Sequence, residues 1–579
     1  MLNPSNNTRI YASEYSYDNN NNVNKIGVIA GNTGVAMTYT YGTDNLPSGY
    51  TANTNTGTYT YDKLNRLESK TSSISPTVEY DYYSGTSMVQ QESYGGNMSA
   101  YNYDANGNIG SITDGTKTIF YKYDELNRIV AECNQYTNQT IKYKYDAWGN
   151  IAMKWIFSGT STWNPDSSKL IKKIDYVYSS STEGMAWKDL LTKYDGKTIT
   201  YDAIGNPTSY MGSAMTWEGR TLVEQIKNGT TITYSYDSSD MRTSKTVGGV
   251  KHNYYYVEGK LMYEDCPSYK LFYAYDANGF LSGIKRVRSG GITEDFGVHC
   301  NIFGDVIAIY EYNSLIAKYS YDSWGKLLSV TDAYGNDVMG DNDIWTQNSI
   351  RYRGYVYDEE TQLYYLQSRY YDATTGRFIN ADDYSVLTAS PNALTDKNLF
   401  AYCDSNPIVR EDTQGDFWDT VFDVISLAAS ISDVVKNPND PLAWVGLAAD
   451  IISLAVPGLT GGGALAKVAI TKSDDVLDSI KTARKVDYYV TSAGDAIPAT
   501  RKAFDNNLSK LELRNKKYYG NDSRGPVRIR VEKHDPTPGY KGPNNPYHCN
   551  PHFHIDRREN GSSGPFRKVF TGLMEWLRR

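Results

Sequence analysis

A chain of 579 residues is too long for a single hydrophobic core, so several domains are expected. Its apolar fraction is ordinary, and no uncharged apolar run of about 20 residues occurs, which argues against a transmembrane span. The net charge of −8 is unevenly placed: residues 484–579 hold 19 Lys and Arg against 10 Asp and Glu, a net of +9, so residues 1–483 carry −17. Five scattered cysteines (Cys133, Cys266, Cys300, Cys403 and Cys549) give neither a disulfide framework nor a CxxC metal site.

The first residues, MLNPSNNTRIYASEYSYDNNNN, lack an apolar stretch and do not read as a signal peptide. The expectation is export by another route, or a chain that forms the back portion of a longer product.

Tyrosine is the outlier, at 53 residues. It favours strands and half-buried surfaces, where the ring packs and the hydroxyl stays wet. Much of it recurs in one motif: YTYDKLNRL, YNYDANGNI, YKYDELNRI, YKYDAWGNI, ITYDAIGNP, YSYDSSDMR, YAYDANGFL and YSYDSWGKL, between residues 59 and 328. Each unit reads as strand, tight turn, strand. Ile119, Tyr121 and Tyr123 point to one face, and Thr118, Phe120 and Lys122 to the other. The Asp, Asn and Gly residues that follow supply turn chemistry. Such strands are stable only side by side, in a long sheet with aromatic ladders.

These units resemble the YD repeats of RHS proteins, whose repeats form a long β-strip coiled into a hollow shell. The resemblance covers roughly residues 10 to 415. RYRGYVYDEETQLYYLQSRYYDATTGRFINADDYS, residues 351–385, followed by NLFAYCDSNPIVREDTQG, residues 398–415, resembles the RHS-associated core domain. In the family, an Asp after GRF and an Asp in a terminal DPxG motif form an aspartyl protease pair that cuts the tail free. The resemblance carries these roles to Asp382 and Asp412, with a cut after Asp416. One carboxylate would activate water while the other, protonated, donates to the carbonyl. This chain reads DTQG where the family reads DPxG.

After Asp416 tyrosine vanishes until residue 488. DFWDTVFDVISLAASISDVV and DPLAWVGLAADIISLAVPGL have helical apolar spacing and predict a helical hairpin in a connector over 417–483. Asp423, Asp433 and Asp450 interrupt its apolar faces. VPGLTGGGALAKVA resembles the pretoxin segment that precedes many polymorphic toxin tips. DYYVTSAGDAIPAT resembles the linker that enters such tips.

The last stretch, 484–579, predicts a small α+β domain. PATRKAFDNNLSKLELRNKK is a candidate helix. PVRIRVEK alternates as a strand, with Val527, Ile529 and Val531 on one face and Arg528, Arg530 and Glu532 on the other. HFHID is a second strand, and GPFRKVFTGLMEWLRR predicts a closing amphipathic helix with Phe566, Phe570, Leu573 and Leu577 on one stripe. The expected architecture is multidomain: mainly antiparallel β over 1–345, a core over 346–416, the connector, and the α+β tip.

Four of the six histidines, His534, His548, His552 and His554, crowd into this tip. If its two strands pair, His534 approaches His552 and His554. Imidazoles titrate near neutrality, so one can accept a proton while another donates. RNA cleavage through the 2′-hydroxyl needs that division of labour, with a cation to stabilise the phosphorane. His552 and His554 are the first candidates for acid and base, then His534 and His548. Arg528, Arg530, Lys541, Arg557 and Arg558 are candidate phosphate contacts. No cofactor is required by this chemistry. The alternative is a zinc or nickel site on His548, Cys549, His552 and His554, in a metal-dependent hydrolase. HExxH, GxSxG, P-loop and deaminase signatures are absent.

The resemblance implies a secreted or cell-surface polymorphic toxin whose tip reaches the target-cell cytoplasm. Its implied partners are an immunity protein, acidic to match the tip, an RNA or DNA substrate, and an upstream shell or secretion partner. Two other function classes remain open: a non-enzymatic adhesion protein, and a membrane-disrupting tip built on the 417–456 helices.

Overall fold

The computed structural model describes residues 12–382 apart from 31–32, 161–162 and 180–186, then 398–412. It describes 419–420, 512–514, 517–522, 525–532, 552–558 and 566–573 as backbone strands. Two compact units divide the chain, residues 1–464 and 465–579.

In the first unit the strands run in chain order, each hydrogen-bonded antiparallel to its sequence neighbours. One meander extends from Ala12–Tyr17 to Lys197–Thr198 and a second from Thr200–Tyr201 to Leu327–Thr331. Mainly antiparallel β architecture is therefore what the structure shows. Among the described residues no helix is long and apolar enough to cross a membrane.

The Tyr-Asp pair has two separate duties. The aspartate closes its own turn: Asp104 Oδ1 accepts from the backbone N–H of Asn106 and of Asn108, both at 2.9 Å, and its other oxygen accepts from the Asn108 side chain at 3.0 Å. Asp124 repeats this with Leu126 and Arg128, the Arg128 Nε standing in for the amide. The fourth turn residue carries the positive φ, 82° at Gly107 and 60° at Asn127, which explains the Gly or Asn found there.

The tyrosine reaches backwards. Tyr123 OH donates to the Ile109 carbonyl at 2.8 Å, Tyr145 OH to Ile129 at 2.7 Å, and Tyr236 OH to Leu222 at 2.8 Å. These hydroxyls are thus not left to solvent, as the composition suggested; each satisfies a carbonyl of the preceding unit. The register also shifts just before the motif tyrosine, at Lys122/Tyr123, Lys144/Tyr145 and Ser235/Tyr236. A bulge repeated at the same place bends the strip each time.

The strip coils back on itself. Tyr39 OH donates to the Tyr275 carbonyl at 3.0 Å, and the buried Lys70 ammonium meets Asp276 at 2.8 Å. Residues 351–382 and 398–412 pack against the strip. Tyr371 stacks on Tyr402 with ring centroids 4.0 Å apart, and its hydroxyl donates to the Trp324 carbonyl at 2.6 Å. Arg377 donates to Asn150 at 2.9 Å and to the Asp189 carbonyl at 2.7 Å. A Cβ at Gly325 would overlap the Tyr352 ring, so that turn admits only glycine.

One buried pair is expected to make the strip pH-sensitive. Glu92 Oε2 accepts from Tyr101 OH at 3.1 Å. Among the described residues Glu92 Oε1 and His299 Nε2, 3.8 Å apart, have no hydrogen-bond partner. Burial pushes the Glu92 carboxyl from 4.5 up to about 7 and pushes the His299 imidazole well below its ordinary value. The fold accepts the neutral acid, so this contribution is full below the unfolded carboxyl value and is lost as pH rises through about 7. Glu92→Gln is expected to match wild type in thermal midpoint at pH 4. At pH 8 it should be more stable, by about 3 kcal/mol. Equal midpoints at pH 8 would contradict the assignment.

The expected connector helices over 417–483 lie outside the described residues except at Asp419–Thr420. There the expected helix start is corrected: these two residues form a strand paired with Arg410–Glu411. The backbone pairing of the two segments outweighs the helical periodicity of so short a stretch.

Candidate functional site

Asp382 and Asp412, far apart in the chain, meet at one guanidinium. Arg369 lies in the strand Arg369–Asp372, and its Nη2 is 3.2 Å from Asp382 Oδ2 and 3.1 Å from Asp412 Oδ2. All three side chains are buried. Arg369 is fixed by stacking 3.5 Å above the Phe378 ring and by Nη1 donation to the Leu399 carbonyl at 3.2 Å. The Asp382 N–H donates to the same carbonyl at 3.0 Å, and the Asp412 N–H donates to Tyr355 OH at 3.0 Å. Arg220 grips the carbonyls of Ala381 and Asp382 at 2.6 and 2.7 Å.

A cation between two carboxylates favours the charged form of each. In this arrangement the acids form a salt-bridged trio, and peptide cleavage would require one of them to take up a proton. The expected cut after Asp416 falls on residues 413–418, outside the described residues, between the paired strands 410–411 and 419–420. Sequence reasoning named both acids and missed Arg369. Its signal was an arginine inside the aromatic core motif SRYYD, where a buried cation needs acidic partners.

The second unit supplies an antiparallel sheet of five strands: Glu512–Arg514, Lys517–Asp522, Gly525–Glu532, His552–Arg558 and Phe566–Leu573, in that order. The two strands expected to pair do so. Arg528 stands opposite Asp556, Arg530 opposite His554, and Glu532 opposite His552. Directly opposed residues share a face, and residues two apart share it too. By register, His552, His554, Arg528, Arg530 and Glu532 therefore lie on one face. Val527, Ile529, Val531, Phe553 and Ile555 lie on the other. Arg557 stands opposite Val527, on the apolar face, and Arg558 opposite Phe566. His534, Lys541, His548 and Cys549 lie outside the described residues.

Two helix expectations are corrected. Phe566–Leu573 is a strand paired with His552–Arg558, not the start of an amphipathic helix. Val569, Thr571 and Gly572 disfavour helix, and the segment completes an otherwise open edge. Glu512–Arg514, at the end of the other expected helix, is also strand. Only strands occur among the described residues of this unit; the rest of both expected helices lies outside them.

No protein-family model matches the chain. It is 29% identical over 455 residues to the "tRNA3(Ser)-specific nuclease WapA" of Bacillus spizizenii, covering 72% of this chain and 18% of that protein. It is 28% identical over 457 residues to the "tRNA nuclease WapA" of Bacillus subtilis strain 168, again covering 72% and 18%. The chain therefore spans less than a fifth of the length of these curated relatives. Among solved structures, that of the TcdB2-TccC3-Cdc42 complex matches with a TM-score of 0.54 and 17% identity, over 72% of this chain and 22% of the other, which shows a shared fold. The Tyr-Asp strip, the aromatic core that packs on it and these likenesses agree: the chain is similar to RHS/YD-repeat toxin proteins.

Proposed function

We propose that the coiled strip and its core carry a terminal effector, residues 484–579, that cleaves RNA by histidine acid–base chemistry. The observation that carries this reading is the register: it sets His552 and His554 on the same face of one sheet as Arg528 and Arg530. One imidazole takes the 2′-hydroxyl proton, the other protonates the leaving 5′-oxygen, and an arginine faces the phosphorane charge. The tRNA nucleases among the relatives support the substrate class. The net charge of +9 suits a polyanion, and it suits an acidic immunity protein in the producing cell. As a toxin, the protein acts after secretion, in the cytoplasm of the target cell. The test is incubation of the full chain with RNA and with DNA in chelator. RNA cut to 2′,3′-cyclic phosphate ends is the expected result. Activity only with added zinc would transfer the site to the metal alternative on His548, Cys549, His552 and His554. Cleavage of neither polymer would overturn the reading.

A second reading, self-cleavage of the chain, is favoured by the convergence of Asp382 and Asp412 on Arg369. One carboxylate takes a proton from water, whose hydroxyl adds to the Asp416 carbonyl, while the other, protonated, donates a hydrogen bond to the carbonyl oxygen. As the tetrahedral intermediate collapses and the C–N bond breaks, the first passes its proton to the Phe417 nitrogen, which departs as the amine. Intact-mass measurement is expected to show two fragments for wild type and one full-length chain for Asp382→Asn and Asp412→Asn. A single uncut wild-type species would remove this reading and leave the trio a structural lock.

A further inference from the structure

The two histidines outside the tip both lie in the strip. His299 belongs to the buried pair described above; the other, His252, has different company. It lies in the strand Val250–Val257, which pairs with Lys260–Asp265 so that Asn253 faces Asp265 and Tyr254 faces Glu264. One step further along this register, His252 stands opposite Cys266. Glu264 and Cys266 are two apart and so project to the same side.

Three potential donor atoms converge there. His252 Nδ1 is 3.0 Å from Glu264 Oε1 and 3.0 Å from Cys266 Sγ, and Sγ is 3.4 Å from Oε1. An imidazole nitrogen offers one proton or one lone pair, and so serves only one of two neighbours. Yet both crowd Nδ1 equally, although sulfur is the larger atom. Hydrogen bonding among the three leaves one close contact without a purpose.

We propose that His252 Nδ1, Glu264 Oε1 and Cys266 Sγ bind one divalent transition-metal cation, zinc above others. A point about 2.05 Å from Nδ1 and Oε1 and about 2.3 Å from Sγ, the usual zinc distances, lies roughly 1 Å off the plane through the three. The donors need to spread by only a few tenths of an ångström to approach tetrahedral faces. A thiolate, an imidazole and one carboxylate oxygen suit zinc or cobalt and do not suit magnesium or calcium, which take oxygen ligands. As the sulfur–metal bond forms, the Cys266 thiol proton leaves to solvent.

The second carboxylate oxygen is already oriented. Glu264 Oε2 accepts from Ser349 Oγ at 2.7 Å and from Tyr273 OH at 3.2 Å, which turns Oε1 toward the other two donors. The His252 side chain is 22% exposed, so a water can reach the fourth position. Among the described residues no other group of three or more His, Cys, Asp and Glu side chains converges closely enough to hold a metal ion. The site would pin the hairpin at Glu258–Gly259 to the segment carrying Ser349, where the strip ends and the core begins.

Cobalt titration of the full chain tests this, with Cys549→Ser as parent so that the tip thiol cannot contribute. The expected result is one equivalent bound, with a sulfur-to-cobalt charge-transfer band in the near ultraviolet that zinc bleaches. Cys266→Ser should abolish the band, and His252→Ala should weaken binding by about a hundredfold or more. Ser349→Ala should keep the stoichiometry and weaken binding by about tenfold. No thiolate band in the parent, or a band that persists in Cys266→Ser, overturns the site. Should Cys266→Ser fail to fold, His252→Ala decides: unchanged cobalt affinity in that variant overturns the site equally.

Discussion

Replacing Arg242 by Ala should destabilise the first unit by about 3–5 kcal/mol, the largest single-residue effect expected in the strip. Arg242 is fully buried, and its two terminal nitrogens hold both oxygens of Asp358, at 2.6 and 3.0 Å. Lys245 adds a third bond to the same carboxylate at 2.8 Å. The guanidinium lies 4.3 Å from the Tyr365 ring centroid and 5.0 Å from that of Tyr254. Burial alone would raise the Asp358 carboxyl; Arg242 first and Lys245 second hold it below the usual carboxylate range. Removing the arginine leaves a buried carboxylate half-compensated and opens a cavity between strip and core. The measurement is the first unfolding transition in denaturant, since a chain of several units need not unfold in one step. Replacing all three charges by apolar residues, Arg242→Met with Lys245→Met and Asp358→Leu, should recover most of the loss. A loss below about 1 kcal/mol for the single change would show that the trio does not bind core to strip.

The second large effect is kinetic. His552→Gln combined with His554→Gln should lower RNA cleavage by about 10²- to 10⁴-fold, the usual range for losing acid–base catalysis. The wild-type rate should follow a bell-shaped pH profile near neutrality, because one imidazole must be neutral and the other charged. Both histidines lie on a strand with partners on each side, so glutamine leaves the ladder intact. Arg530→Ala should weaken RNA binding at low salt and flatten its salt dependence by about one phosphate contact. Undiminished cleavage by the double variant would falsify the histidine mechanism and leave the tip's chemistry elsewhere.

The strip was legible because its logic is local. An aspartate that binds the N–H groups two and four residues ahead leaves a fixed Asp-x-x-Gly/Asn signature, and alternation does the rest. The bulges before each motif tyrosine were not legible, since they depend on which strand lies beside it. The strand at Phe566–Leu573 was misread for a related reason. Phe566, Phe570 and Leu573 fit a helical stripe, and only the neighbouring strand decides between the two periods. The Asp382 and Asp412 pair was found by likeness to the family, and Arg369 became its hub only once the strands of the core were paired. His252, Glu264 and Cys266 gave no recognisable spacing, because a hairpin turn separates the imidazole from the other two and the register alone brings them together.

The backward reach of the motif tyrosines sets a direction. Each hydroxyl latches onto a carbonyl already laid down upstream, as Tyr123 does to Ile109 and Tyr145 to Ile129. Each unit's closing latch is thereby supplied by its successor, ahead of the distant contacts such as Lys70–Asp276 that tie the coil together. Assembly can keep pace with a chain that emerges amino end first, and loosening from the carboxyl end frees one latch at a time.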